Sequence, residues 1–303
     1  MQAKEKTVIV LAGPTAVGKT GIAIQLAKWV GTEIISADSR QCYQEMNIGV
    51  ARPSPDELAA VKHHFIASHS IHQKVTAATF EAYALEKAAE LFQQYNTIVM
   101  VGGTGLYIKA FTEGLDAIPE VPEAIRIEIV ADYNTNGLVW LQQQVKIFDP
   151  NYFETGEKEN PHRLMRALEV AKATGQSILY FRKGIKAVRP FKIVKVALQL
   201  PKENLHERIH TRVDKMVDEG LVEEVEKLLP YQQLPALQTV GYRELFDYFK
   251  GEKTLVQAVE EIKKNTRHYA KRQMTWFKKD TEYSWYTPHQ FNELENYIQT
   301  QLH

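Results

Sequence analysis

The eight residues Gly13-Pro14-Thr15-Ala16-Val17-Gly18-Lys19-Thr20 fit the pattern G-x-x-x-x-G-K-[ST]. They stand between an apolar β-branched run, Thr7-Val8-Ile9-Val10-Leu11, and an amphipathic stretch carrying Ile22, Leu26 and Trp29. Strand, glycine loop and helix in that order confine the chain to the α/β folds that grip phosphate, because such a loop works only where backbone N–H groups and a helix N-terminus converge on one anion. Within the pattern Lys19 supplies neutralising charge, and the Thr20 hydroxyl is the ligand expected for Mg²⁺.

Two further apolar runs extend the reading. Glu33-Ile34-Ile35-Ser36 leads into Ala37-Asp38-Ser39, and Thr97-Ile98-Val99-Met100-Val101 leads into Gly102-Gly103-Thr104-Gly105. Continuous apolar strands alternating with helices predict a parallel sheet covered on both faces, with the loops at the strand carboxyl ends converging on one site. From about Pro119 to Arg189 the periodicity becomes helical, with polar connectors at Asn134–Gly137 and Glu157–Pro161, before Ile193–Leu198 reads again as a strand. The expected architecture is therefore an α/β P-loop core of residues 1–118 and 190–303 with a helical insertion over 119–189. After Pro201 the chain is expected to be helical almost to its end, with Phe291–His303 packing or fraying.

Composition narrows the function classes. Of 303 residues, 44% are hydrophobic and 24% charged, which excludes a disordered chain. Lys+Arg and Asp+Glu each number 37, so a polyanion would be met by a local basic patch and not by a net field. The single cysteine, Cys42, cannot form an intrachain disulfide or a CxxC site and is expected to be a packed small residue. Met1–Lys6 has no apolar signal core and no run is long enough to span a bilayer, so a cytoplasmic protein is expected.

For chemistry, Asp38 is the candidate carboxylate near the loop. It can accept a proton from a nucleophile, or it can be a turn or cap residue, the commoner fate of Asp after a strand. An ordinary P-loop NTPase also needs an acid at the end of an apolar strand, and here that position is the run Gly102–Gly105. The loop is thus suited to a diphosphate that leaves more than to a γ-phosphate that moves. Lys263, Lys264, Arg267, Lys271, Arg272, Lys278 and Lys279 are interleaved with Tyr269, Trp276 and Phe277. Such a segment suits phosphates and unstacked bases, or is a solvated helical face. His63, His64, His69 and His72 show no spacing that forces a metal site. A small-molecule kinase using Asp38 to activate a hydroxyl, and a non-catalytic nucleotide-dependent RNA-binding module, are the competing readings.

Six ordered blocks then resemble one family, the tRNA dimethylallyltransferases or isopentenyltransferases, over essentially the whole chain. They are Gly13–Thr20, Ala37–Gln41, Gly102–Tyr107, Arg166–Val170, Met216–Val225 with Val240–Tyr242, and Tyr269–Phe277. Cys42 stands where Val is common in the family, and Gly49-Val50-Ala51-Arg52-Pro53 replaces a more usual Gly-Thr-Ala-Lys-Pro.

The resemblance implies a monomer that takes dimethylallyl diphosphate, with Mg²⁺, into Gly13, Pro14, Thr15, Ala16, Val17, Gly18, Lys19 and Thr20. It implies Asp38 as the group that takes a proton from the exocyclic N6 of the adenosine 3′ of the anticodon. Thr104 would lie near the reacting centre and Arg212 would bind diphosphate. It further implies tRNA contacts at Asp38, Ser39, Arg40, Gln41, Thr104, Arg126, His162, Arg163, Leu164, Met165, Arg166, Gly241, Tyr242, Arg243, Lys271 and Arg272. An adenine stacked in an anticodon loop must be extracted before it reacts, at a cost of a few kcal/mol.

Overall fold

The computed structural model describes residues 5–302. They divide into two compact units, one comprising residues through Glu113 and from Val188 onward, the other Gly114–Ala187.

The larger unit runs β1 (Thr7–Ala12), α1 (Lys19–Val30), β2 (Ile34–Ser36), α2 (Pro55–Ala60), β3 (His63–His64), α3 (Ala77–Leu91), β4 (Thr97–Gly102) and α4 (Gly105–Glu113). The smaller holds α5 (Glu123–Phe148), α6 (Pro150–Thr155), α7 (Pro161–Thr174) and α8 (Ile178–Phe181). The larger unit resumes with β5 (Lys192–Leu198), α9 (Lys202–Asp218), α10 (Leu221–Leu228), a 3-10 turn, α11 (Tyr242–Phe249), α12 (Leu255–Phe277), β6 (Ser284–Tyr286) and α13 (Phe291–Gln301).

The six strands form one sheet in the order β3-β2-β4-β1-β5-β6, parallel at every pairing. Alternation along β1 sends Val8 and Val10 to one apolar core and Ile9 and Leu11 to the other, so both faces are buried, as continuous apolar strands require. The first core is closed by α3, α4 and the α10–α12 helices. The second is closed by α1, by Leu205 and Ile209 of α9, and by Leu294 and Ile298 of α13. The chain leaves β1 toward β2 on one side and later returns to β5 on the other. The strand order therefore reverses beside β1, and the crevice at its carboxyl end is where α/β sheets bind ligands.

One expectation needs amendment. The chain after Pro201 is not helical throughout, because Ser284–Tyr286 adds an edge strand to β5. His63–His64 forms a two-residue edge strand on β2. At Asn134–Gly137 two helical segments meet at a kink, in keeping with the connector expected there. The kink lies within α5, which breaks at Gly137 (φ 74°, ψ −167°), a conformation essentially confined to glycine. The C-terminal segment packs: Leu294 and Ile298 are fully buried.

The smaller unit has its own core, built on Ile129, Leu141, Val145, Tyr152, Leu164, Leu168 and Ile178. Its buried Asp149 caps α6 through the Tyr152 N–H (3.0 Å) and accepts the Ile178 N–H (3.1 Å), fixing α8. Among the described residues no helix is long and apolar enough to cross a membrane.

Candidate active site

At the carboxyl end of β1 the Gly13–Thr20 loop turns into α1 through Gly18 (φ 100°), which is left-handed and caps the helix. Ala16, at φ 63°, is left-handed without being glycine, a local strain of the kind held at binding loops. Lys19 folds back so that its Nζ donates to the Pro14 carbonyl at 2.7 Å. Loss of water lowers its pKa to about 7, against an upward pull from Asp38 and with a further downward push from Arg212. Burial likewise lowers the pKa of Arg212, with Asp38 opposing. Lys19, Asp38 and Arg212 thus sense one another's charge. Thr20 stands in the first turn of α1.

The loop after β2 carries Asp38. Its Oδ1 accepts the backbone N–H of Arg40 (2.8 Å) and of Gln41 (3.2 Å), the geometry of an Asx turn. The turn reading of Asp38 is therefore realised, and it uses one carboxylate oxygen only; Oδ2 takes no part in it. The Ser39 N–H donates to Thr104 Oγ1 at 3.1 Å, the Thr104 N–H donates to the Ala37 carbonyl at 3.2 Å, and Tyr269 hydrogen-bonds Thr104. Burial and the Asp38 charge push the Tyr269 hydroxyl up to about 12, so it remains protonated. The loops after β2 and β4 are in this way tied together at Thr104.

The glycines after β4 have a steric reason. A Cβ on Gly103 would lie 2.3 Å from the Gln273 amide nitrogen, and one on Gly105 would lie 2.2 Å from the Trp276 ring. Helix α12, one turn apart, lays these two side chains directly on the loop. Thr15, inside the phosphate loop, accepts from Arg212 Nη1 through its Oγ1 (3.1 Å), while Arg208, one turn earlier in α9, donates to the Val17 carbonyl (3.4 Å).

The other sequence candidates fall into three groups. Arg40 and Gln41 brace loops: Arg40 Nη1 donates to the carbonyls of Pro235 (3.2 Å) and Ala236 (3.0 Å), and Gln41 Nε2 donates to Ala51 (2.8 Å). Arg243, Lys271 and Arg272 are exposed, and Gly241 (φ 96°) caps α11. In the smaller unit, Arg163 pairs with Glu157 (2.8 Å), while Arg166 (3.2 Å) and Arg126 (3.9 Å) both face the buried Glu169. His162 lies in the first turn of α7, where its N–H is capped by Asn160, and Met165 is partly buried. Leu164 and Tyr242 are each fully buried in a hydrophobic core, so neither side chain offers surface. The Tyr242 ring packs where a Cβ on Gly49 would otherwise sit (2.6 Å), and its hydroxyl donates to Glu224 (2.6 Å).

Sequence reasoning gave no role of their own to Gln273, Arg208 and Glu224. The available signal for Gln273 is its place at i+3 between Ala270 and Phe277, a polar residue on the buried stripe of an amphipathic helix, which must find partners. Glu224 accepts the N–H groups of Asn47 (3.1 Å), Ile48 (2.7 Å) and Gly49 (3.0 Å), a role invisible in a run of helical glutamates.

No group of three or more His, Cys, Asp or Glu side chains suited to a metal occurs among the described residues. A metal at this site would take one hydroxyl, from Thr20, and phosphate and water oxygens for the rest, an all-oxygen set that suits Mg²⁺.

Loop, carboxylate and arginine together define a P-loop α/β protein whose fourth strand ends in glycine and not in the acid of a nucleotide hydrolase. The family model described as IPP transferase matches residues 41–280. The chain is 46% identical over 296 residues to a tRNA dimethylallyltransferase of Christiangramia forsetii, covering 96% of this chain and 97% of that one. It is 42% identical to tRNA dimethylallyltransferase 1 of Bacteroides thetaiotaomicron, covering 97% and 96%. Its fold is similar to the crystal structure of the tRNA isopentenylpyrophosphate transferase of Bacillus halodurans, with a TM-score of 0.73, 33% identity and coverage of 99% and 97%. It is also similar to a eukaryotic dimethylallyltransferase acting on tRNA, with a TM-score of 0.71, 25% identity and coverage of 89% and 69%. The chain belongs to the IPP transferase family.

Proposed function

We propose that the protein transfers a dimethylallyl group from dimethylallyl diphosphate to the exocyclic N6 of the adenosine 3′ of the anticodon in tRNA, releasing diphosphate. The observation that carries this reading is membership of the IPP transferase family together with a phosphate loop tied to Arg212 through Thr15 (3.1 Å), with the Asp38 charge felt at both Lys19 and Arg212. It sets a proton acceptor beside the cations that suit a departing diphosphate.

The diphosphate lies in the Gly13–Thr20 loop, with Lys19 and Arg212 stabilising charge as it leaves. The carbon–oxygen bond to diphosphate breaks as the carbon–nitrogen bond to N6 forms, and the N6 proton passes to Asp38 Oδ2. Because the allylic carbon delocalises its own positive charge, stabilising the leaving group is the larger demand on the protein. Mg²⁺, held by Thr20 and the diphosphate, would neutralise leaving-group charge when bound. Thr104, held by Ser39 and Tyr269, lines the place of the adenine amine. Exposed Lys271, Arg272 and Arg243 of the larger unit, and Arg126, His162, Arg163 and Arg166 of the smaller, are the contacts assigned to the anticodon stem-loop. The protein works as a cytoplasmic monomer in this reading.

The kinase alternative is disfavoured by the glycine end of β4 and by family membership. The test is a nucleoside digest of unmodified tRNA incubated with the protein, Mg²⁺ and dimethylallyl diphosphate, analysed by mass spectrometry. A dimethylallyl adduct on adenosine is expected, and none when the target adenosine is replaced by inosine, which lacks the amine. An adduct that survives the inosine replacement contradicts N6 as the acceptor.

A further inference from the structure

Gln273 is 6% exposed and sits on the buried face of α12. Its Oε1 accepts the Thr15 N–H at 2.8 Å, and its Nε2 donates to the Gly103 carbonyl at 2.9 Å. One planar amide therefore spans the phosphate loop and the loop after β4. On the first side Thr15 is also held by Arg212 (3.1 Å); on the second, Thr104 follows Gly103 directly and accepts the Ser39 N–H (3.1 Å), next to Asp38. The amide closes a continuous path of bonds from the arginine to the carboxylate segment. A Cβ on Gly103 would reach within 2.3 Å of Nε2, so the loop backbone is fitted to this amide at a distance no other residue allows.

We propose that Gln273 is a positioning residue, whose amide fixes the separation of the loop that holds the leaving group from the loop that holds the acceptor. This rests on the prenyl-transfer reading above. Group transfer needs the reacting atoms about 3–3.5 Å apart, and a displacement of about 1 Å costs on the order of a hundredfold in rate. An amide carries one donor and one acceptor on a rigid plane, which is what an N–H on one side and a carbonyl on the other demand. Leucine supplies neither. Glutamate keeps the acceptor for Thr15 but turns an oxygen toward the Gly103 carbonyl until it is protonated.

The experiment compares wild type, Gln273→Leu and Gln273→Glu as full chains, each checked for folding by circular dichroism, in single-turnover prenyl transfer at saturating substrates. For Gln273→Leu the rate falls on the order of a hundredfold at every pH, while the Kd for inorganic diphosphate stays within about threefold. For Gln273→Glu the rate relative to wild type climbs as pH falls, because protonating the introduced carboxyl restores the donor; burial raises the pKa at which this happens. A wild-type rate in Gln273→Leu, or a ratio for Gln273→Glu that is flat in pH, overturns the proposal.

Hydrogen exchange supplies a readout free of turnover. In Gln273→Leu, peptides covering residues 13–18 and 102–107 gain exchange together while those of α9 do not. Unchanged exchange in either loop overturns the proposal even where the wild-type chain transfers no prenyl group, and that last result would count against the proposed function alone.

Discussion

In the proposed reaction Asp38 has two duties that one substitution separates. Its Oδ1 holds the turn through Arg40 and Gln41, and its Oδ2 is assigned the proton. Asn preserves an Oδ1 acceptor and removes the base; Ala removes both. Asp38→Asn is expected to lower the single-turnover rate by about 10²- to 10⁴-fold with stability nearly unchanged, whereas Asp38→Ala also loses about 0.5–2 kcal/mol in urea unfolding. Equal rates for Asp38→Asn and wild type would remove Asp38 from the chemistry. Lys19 makes a second prediction. With its pKa lowered to about 7 from an ordinary 10.5, folding leaves the ammonium less willing to hold its proton. The unfolded chain binds more protons between those values, so this group makes the ligand-free protein more stable as pH rises through that window. A bound diphosphate reverses the shift, and at pH 8 its binding takes up close to one proton, about 0.5–1. Calorimetry in Tris and in HEPES measures the uptake, which should vanish in Lys19→Arg; no uptake in wild type would deny contact between Lys19 and the ligand.

Legibility differed sharply between elements. β1, β4 and β5 were readable because each is a continuous apolar run ending at a turn signal, and the loops that follow β1 and β4 carried their glycines in the open. Neither β3, of two residues, nor β6, of three, has any periodicity, and each exists only because a neighbouring strand offers it hydrogen bonds. The loop composition of Asn134–Gly137 marked a real break: two helical segments meet at Gly137, which takes the deviation from helical geometry, while the Asn136 amide donates to the Asp132 carbonyl (3.0 Å). At the site, the glycine-rich end of β4 was visible, but its cause, Gln273 and Trp276 reaching in from α12, lies some 170 residues away in sequence. Glu224 is the element-scale case to test, since one carboxylate organises residues 47–49 and Tyr242. Glu224→Leu is expected to destabilise the chain by about 2–4 kcal/mol, because it leaves the buried Tyr242 hydroxyl and the part-buried Ile48 and Gly49 N–H groups unpaired. Chemical denaturation measures the loss, and a change under about 0.5 kcal/mol would show that the loop finds other partners.

The whole molecule has no net charge, 37 basic against 37 acidic residues, so attraction to RNA must come from where the charges stand. Within the basic run on α12, Lys263 is neutralised by Asp214 (2.7 Å) and Glu260 (2.9 Å), whereas Arg267 contacts His210, which carries no compensating charge. Lys271 and Arg272 are exposed, and neither forms an ion pair with an acidic residue among the described residues. Replacing both with Ala is expected to weaken tRNA binding evenly across sequences and to reduce the slope of log K against log salt by about 1 to 2. An unchanged slope in filter binding would move the contact elsewhere. Prenyl transfer as proposed draws its electrophile from an allylic diphosphate and moves no phosphate from ATP. The most direct measurement is single-turnover transfer of label from radiolabelled dimethylallyl diphosphate into unmodified tRNA with Mg²⁺, for wild type and Asp38→Asn, beside a γ-labelled ATP control. Label entering tRNA in wild type, reduced at least about a hundredfold in Asp38→Asn and absent from ATP, is the predicted result; no prenyl label, with phosphate passing from ATP to an acceptor, would contradict it.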